Sequence, residues 1–168
     1  PIRDYGLKAA TNTYPTDTVK IQNNITSGGY TLASAGNIDA IGFAALDFLL
    51  FRSSALNSFI SSEATATYAS ELIQKMNTEA TNVKNAWAGY KSQFVSSTGT
   101  ETTSAFSQLI NEFNRDYELA KNAKLGIPMG KQSLGVALPE YIEAKWSGFS
   151  FEILRESVSS LRSIYLGA

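Results

Sequence analysis

The sequence contains neither cysteine nor histidine among its 168 residues. Without cysteine, no disulfide can form and no thiolate can act as a nucleophile or a metal ligand. Without histidine, the chain cannot build a zinc site of the usual nitrogen and sulfur type, or a serine hydrolase triad with a histidine base. The side chains left for acid–base or metal chemistry are carboxylates, lysines and tyrosines.

The chain also lacks a block of like charge and a long apolar run. Its net charge is -1, whereas a nucleic-acid-binding protein needs a basic face, so we predict no nucleic-acid partner. The longest apolar run, residues 41–51, is interrupted by Gly42 and Asp47. It is shorter than the roughly 18 residues that a membrane-spanning helix requires, so we predict no transmembrane segment.

What the chain does contain is helical periodicity over most of its length. A hydrophobic share of 43% in 168 residues suits one domain with a substantial core. Apolar residues recur at spacings of three and four, and alternating strand patterns are short, which predicts an all-α, up-down helical bundle. An irregular segment is predicted at 1–15, and helices are predicted at 16–25, 39–51, 64–95, 102–125 and 150–166.

Helix ends are predicted from capping residues. Thr16 is expected to be an N-cap, with Asp17 near the positive end of the helix dipole. Ser104 or Thr102 and then Ser150 are expected to cap two later helices. Between them, residues 127–148 form a predicted long loop, and loops of that length are usually functional or packed against a large surface.

The segment from Gly42 to Phe51 is apolar around most of a helical circumference, which is typical of a helix in the middle of a bundle. This segment resembles the G-x-H-x-x-E signature of the imelysin-like proteins, which reads roughly Gly-Phe-His-Ala-Ile-Glu followed by Leu-Leu. The helical frame is kept here, but Ala44 stands at the histidine position and Asp47 at the glutamate position.

Two further segments are similar to that family. Residues 14–17, Tyr-Pro-Thr-Asp, resemble a Trp-Pro-x-Asp segment that precedes the signature in the family. The pattern from Pro139 to Gly167 is similar to a segment led by Ser-Gly-x-Ser, and it places Glu143, Ser147 and Gly148 at family positions. With Gly42, Ala44 and Asp47, these residues are the candidate binding positions.

The resemblance implies a fold of two helical bundles related by duplication, with a functional site in the cleft between them. Family members are about twice as long, and the helices that precede Tyr14 and follow Gly167 in them are missing here. We therefore expect residues 1–168 to be a partial imelysin-like domain, and the missing part of its own chain to be one possible partner. The resemblance also implies a bacterial periplasmic protein or an outer-membrane or cell-surface lipoprotein that acts in iron uptake.

Asp47 has two interpretations. It could be functional, as a metal ligand with iron or another divalent cation as the cofactor, or as a polar anchor that faces the cleft. It could instead be a buried carboxylate that caps or pairs with Arg52 or another helix. Asp39 lies eight residues earlier, two helical turns, so the two carboxylates could share a cation. The alternative for Asp39 is a carboxylate at the beginning of a helix.

Three functions remain open. The first is a non-catalytic protein that binds a metal or a partner, favoured because the signature has lost its histidine. The second is a metallopeptidase, the older label of the family, which would need a site made of carboxylates alone. The third is a polysaccharide-binding protein, whose basic and aromatic surface would be offered by Lys124, Lys131, Lys145 and the loop residue Trp146. Trp87 is expected in the core.

Overall fold

A computed structural model of the chain describes residues 6–167. Over these residues it contains seven α-helices and no strand, which confirms the all-α prediction. The helices are α1 (Leu7–Thr11), α2 (Thr18–Ser27), α3 (Gly42–Phe51), α4 (Ala55–Ser61), α5 (Glu63–Ser96), α6 (Ala105–Leu119) and α7 (Ser150–Leu166). Short 3₁₀ helices lie at Ala35–Ala40 and Pro139–Tyr141, and a π-helix at Ala120–Gly126.

Some predicted helices differ from the observed ones. The segment predicted as irregular, 1–15, lies partly outside the described residues, and its described part contains α1. The short helix α4 was not predicted. The helix predicted to run from 102 to 125 begins at Ala105, and from Ala120 it continues as the π-helix. The predicted helix 39–51 begins only at Gly42, because residues 35–40 wind more tightly as a 3₁₀ helix.

Two predicted caps are wrong and one is right. Asp17, not Thr16, caps α2, because its carboxylate accepts a hydrogen bond from the Lys20 amide at 2.9 Å. The Thr16 hydroxyl donates instead to the Asp39 carbonyl, at 2.7 Å. Ser104 caps α6 by accepting from the Ser107 amide.

The last helix also begins differently from the prediction. Ser150 is the first helical residue of α7, and Phe149 takes the N-cap position without a side-chain hydrogen bond. The helix ends at Leu166, and Gly167 follows in a left-handed conformation at its C-cap.

The described chain divides into two compact units. The first unit comprises residues 6–86 and 143–148, and the second comprises 87–142 and 149–167. None of the helices in the described residues is both long and apolar enough to cross a bilayer.

The first unit has a continuous hydrophobic core. Its largest fully buried side chains are Ile21 of α2, Leu49 of α3, and Tyr68 and Leu72 of α5. The Tyr68 hydroxyl donates to the Ala40 carbonyl at 2.8 Å, so this buried polar group has a partner. The core therefore joins three helices and the 3₁₀ turn that leads into α3.

Helix α3 is not enclosed on all sides, in contrast to the prediction. Seven of its ten residues are buried, but Phe43, Leu50 and Phe51 are about half exposed or more. These three side chains lie on the side of α3 away from the core. An apolar circumference therefore did not require burial on every side.

The second unit has fewer buried side chains. Its buried apolar residues are Ala105, Ala120 and Leu161. Helices α6 and α7 contact each other and the π-helix, and the rings of Phe113 and Tyr165 lie 6.2 Å apart. Trp87, Tyr90 and Phe94 form a half-buried aromatic cluster along α5, rather than the fully buried core predicted for Trp87.

Candidate functional site: the α3 signature and the loop at residues 143–148

The signature begins at a glycine for a steric reason. Gly42 has a φ of +80°, a backbone conformation that residues with a Cβ rarely adopt. A Cβ at this position would lie 2.6 Å from the carbonyl oxygen of Thr11, at the end of α1. Gly42 therefore permits the start of α3 to lie against the end of α1.

Five residues after Gly42, the carboxylate of Asp47 binds the backbone of a distant loop. One oxygen, Oδ2, accepts a hydrogen bond from the Trp146 amide at 2.9 Å, and Oδ1 accepts one from the Ser147 amide at 3.0 Å. Asp47 is only 8% exposed. Since a buried carboxylate is costly without partners, these two bonds account for its presence inside the first unit.

The loop has the conformation needed to direct two consecutive amides at one carboxylate. Ala144 and Gly148 both have positive φ, 51° and 77°. The Gly148 amide donates to the Ala144 carbonyl at 3.1 Å, which closes a tight turn around Trp146 and Ser147. Successive amides presented in this way form a concavity that binds anions, and here the anion is the Asp47 side chain.

Aromatic and cation–π contacts also join helix α3 to this loop. The Trp146 ring meets Phe48 of α3 edge to face, with centroids 5.1 Å apart. The Arg52 guanidinium lies 4.5 Å from the Phe48 centroid, and the Lys145 ammonium lies 5.6 Å from that of Trp146. Asp47 thus binds the backbone of Trp146, and Phe48 contacts its side chain.

Two sequence interpretations change as a result. Asp47 binds the two loop amides, and no described contact joins it to Arg52, whose guanidinium donates to the Ser58 hydroxyl at 2.8 Å. Trp146 is not a free surface aromatic: it is half-buried, and its ring packs against the hydrophobic core of the first unit. Part of the ring surface is therefore already in contact with the protein.

Glu143 begins the same loop and is also buried. Burial raises the pKa of Tyr14 to about 12, and the negative charge of Glu143 contributes to that rise. The structure therefore brings Glu143, Ser147 and Gly148 into one loop, and Tyr14 of the upstream resemblance lies near enough to sense its charge.

Ala44, at the histidine position, is buried in α3. A methyl group has no donor or acceptor, so this position contributes only packing. The residues at the signature therefore keep one ionisable side chain, Asp47.

Asp39 takes part in different contacts. Its carboxylate pairs with the Lys20 ammonium at 3.1 Å, and its carbonyl accepts from the Asp17 amide and the Thr16 hydroxyl. These contacts fix the 3₁₀ turn to the beginning of α2. No described contact joins Asp39 to Asp47.

The donor set at the signature does not fit a resident metal ion. Over residues 6–167, no three acidic side chains converge on a point where they could hold an ion. Both oxygens of Asp47 face amides, and Asp39 faces an ammonium. The hypothesis that these two carboxylates share a cation stays a prediction, to which their contacts give no support.

Sequence reasoning found Asp47 and Ser147 separately but missed that they bind each other. They are 100 residues apart, and no local pattern reports such a pair. Two signals were available. Asp47 is a lone acid in an apolar helix, and a buried acid requires a partner. The turn at Ser147 and Gly148 is rich in small residues, and such a turn leaves backbone amides available as donors.

The fold and the site together define an all-α protein in which a glycine-initiated apolar helix is fastened through its acid to a distant Ser-Gly loop. The family model described as Imelysin matches residues 1–168. The chain therefore belongs to the imelysin family. Neither a search of curated proteins nor a search of solved structures gave a match.

Proposed function

We propose that this chain is a non-catalytic binding protein of the imelysin family that acts in iron acquisition at the bacterial cell envelope. Its proposed location is the periplasm, or the outer membrane or cell surface as a lipoprotein. Family membership supports the general assignment. The residues that stand at the signature positions support the proposal that the protein is non-catalytic.

The observation that carries the proposal is the position of the Asp47 carboxylate. A general base must lie within hydrogen-bond reach of the proton it removes, or of one intervening water. The two oxygens of Asp47 instead face the amides of Trp146 and Ser147 in a buried setting. Ala44 stands at the histidine position, so the signature offers no reactive group there. Its acid, Asp47, supports a loop instead.

We further propose that iron reaches this protein on a carrier or a protein partner, not as a free ion held at the signature. Iron sites in proteins combine several oxygen, nitrogen or sulfur ligands, and the signature offers one occupied carboxylate. The loop that Asp47 holds in place would then form part of the surface that recognises the partner.

Calorimetric titration with ferrous iron tests this proposal directly. Wild-type protein and Asp47→Asn should bind ferrous iron equally weakly, since the carboxylate is engaged with amides. Asp39→Asn is the matched control, because it removes an acid with the same side chain from the same unit. Micromolar binding that Asp47→Asn abolishes would contradict the proposal, and its retention or loss in Asp39→Asn would show whether Asp39 shares the ion.

The alternative function is a metallopeptidase, and the label of the matched family, which names a peptidase, favours it. Only a site made of carboxylates for a hard cation is available to this histidine-free chain. A general protein substrate should remain intact in the presence of the purified protein. Cleavage that a chelator stops would support the alternative.

Binding of an acidic polysaccharide is favoured by one contact, the Lys145 ammonium over the Trp146 ring. Because that ring packs on Phe48, only its remaining surface could stack on a sugar. A glycan screen that compares the wild type with Lys145→Gln and Trp146→Phe would identify such a ligand.

A further inference from the structure

A second feature of the chain lies in the second unit. Residues 119–139 contain three lysines, Lys121, Lys124 and Lys131, and no acidic residue. The chain as a whole has a net charge of -1, so this segment differs from the rest in the sign of its charge. Of the acids that flank it, Glu118 pairs with Lys121 at 2.6 Å and Glu140 follows at the other end.

Within this segment, residues 128–138 form a loop with a closed neck, here called the apolar loop. The Leu138 amide donates to the Pro128 carbonyl at 3.1 Å, and the Gly135 amide donates to the Gly130 carbonyl at 2.9 Å. The backbone of residues 135–137 fills the place where a Cβ of Gly130 would lie, at 3.0 to 3.1 Å. Backbone hydrogen bonds therefore close the apolar loop at its base and within it.

The apolar loop presents apolar side chains to the solvent. Leu134 is 103% exposed, and Met129 and Val136 are 64% and 60% exposed. Leu134 has a φ of 54°, a left-handed conformation that leucine rarely adopts. Polar residues such as asparagine fit that conformation better than leucine does.

The small size of this exposed apolar surface limits which kind of partner can bind it. A stable protein interface buries about 800 Å² on each partner, which the three exposed apolar side chains of this loop cannot supply by themselves. A lipid surface needs no complementary shape, and it takes up apolar side chains beside lysines that face anionic headgroups. We propose that the apolar loop inserts Leu134, Met129 and Val136 into an anionic membrane surface, with Lys131 at the headgroups.

The membrane test can fail without affecting the iron proposal, because the apolar loop lies in the second unit and Asp47 lies in the first. The first test is flotation of the protein with vesicles of phosphatidylcholine, with and without phosphatidylglycerol. Binding should require the anionic lipid and weaken with added salt. Leu134→Asn, which suits the left-handed backbone, should weaken binding about tenfold, since it removes the burial of one leucine. Lys131→Glu should weaken it about as much.

Matched controls lie outside the apolar loop. Ile60→Asn removes an apolar side chain that is 75% exposed on α4, and Lys84→Glu makes the same charge reversal on α5. Both variants should bind vesicles as the wild type does. Absence of binding to anionic vesicles, or a loss no larger in the loop variants than in these controls, would overturn the proposal.

The absence of cysteine provides a second, more direct test. Leu134→Cys and Ile60→Cys each create a single site for an environment-sensitive fluorophore. The label at position 134 should shift to the blue on anionic vesicles, and the label at position 60 should not. A shift at position 134 that depends on protein concentration and not on vesicles would indicate self-association and overturn the membrane proposal.

Discussion

The two units of this protein are stabilised differently. The first unit buries large side chains from three helices, with Ile21, Leu49, Tyr68 and Leu72 fully inaccessible. The buried apolar residues of the second unit are two alanines and one leucine, and its helices keep aromatic and aliphatic side chains such as Phe106 and Tyr165 exposed. Burial of apolar surface is the main source of folding free energy, so the first unit should be the more stable one.

The side-chain hydrogen bonds and ion pairs of the two units also differ in how far apart in sequence their partners lie. In the first unit several of them connect distant parts of the chain, as between Asp47 and Ser147 or Tyr68 and Ala40. In the second unit most join neighbours in sequence, such as the Lys121–Glu118 pair, which is exposed. Exposed pairs add little stability. The long-range contacts of the first unit are therefore where single substitutions should have large effects.

The chain has one tryptophan in each unit, which allows the comparison to be measured. Trp146 belongs to the first unit and Trp87 to the second. In a Trp87→Phe background, fluorescence reports unfolding of the first unit, and in a Trp146→Phe background it reports the second.

The largest effect is expected from Gly42→Ala. A Cβ would lie 2.6 Å from the Thr11 carbonyl oxygen, and the backbone is left-handed, so the first unit should lose about 3 kcal/mol or more of unfolding free energy. Denaturant unfolding followed through Trp146 measures the loss.

Gly89→Ala is the matched control in the second unit. Gly89 lies within α5, and a Cβ there meets no atom within 4 Å. Alanine should stabilise that helix by about 0.5–1 kcal/mol, because glycine is a poor helix former. Equal destabilisation by the two substitutions would contradict the steric role assigned to Gly42.

A smaller effect is expected at alkaline pH in the first unit. Burial raises the pKa of Tyr14 and of Tyr30 to about 12, with the charges of Glu143 and Glu71 contributing. Because the folded pKa lies above the ordinary value of 10, the stabilisation is complete below pH 10 and is lost as pH rises toward about 12. Stability reported by Trp146 should fall over that range.

The double variant Tyr14→Phe, Tyr30→Phe tests the cause of this pH dependence. Phenylalanine does not ionise, so the decline of stability between pH 10 and about 12 should become shallower in the variant. An unchanged slope would assign the decline to other groups.

The sequence predicted those features that depend on neighbouring residues. The periodic apolar residues of α5 predicted a helix at 64–95, and the structure places it at Glu63–Ser96. The Ser104 cap was predicted for the same reason, since the hydroxyl bonds an amide only three residues later. Short helices such as α1 and α4 were missed because a few residues carry too little periodicity.

The sequence did not predict features that depend on distant residues. Thr16 and Asp17 are both good caps, and the choice between them is made by the Asp39 carbonyl, which takes the Thr16 hydroxyl. The role of Asp47 likewise depends on amides 99 and 100 residues later in the chain. The family resemblance identified the candidate positions, but only the folded arrangement shows which atoms of those positions meet.

The central claim is that Asp47 holds the Trp146–Ser147 loop, and amide hydrogen exchange of these two residues tests it most directly. Both amides should be protected in the wild type, because each donates to the buried carboxylate. Asp47→Ala should lose that protection and about 2 kcal/mol or more of stability, since two amides lose their acceptor. If that variant fails to fold, Asp47→Asn, which keeps one acceptor oxygen, should lose protection at one amide more than at the other. Rapid exchange of both amides in the wild type, or protection that survives in Asp47→Ala, would contradict the claim.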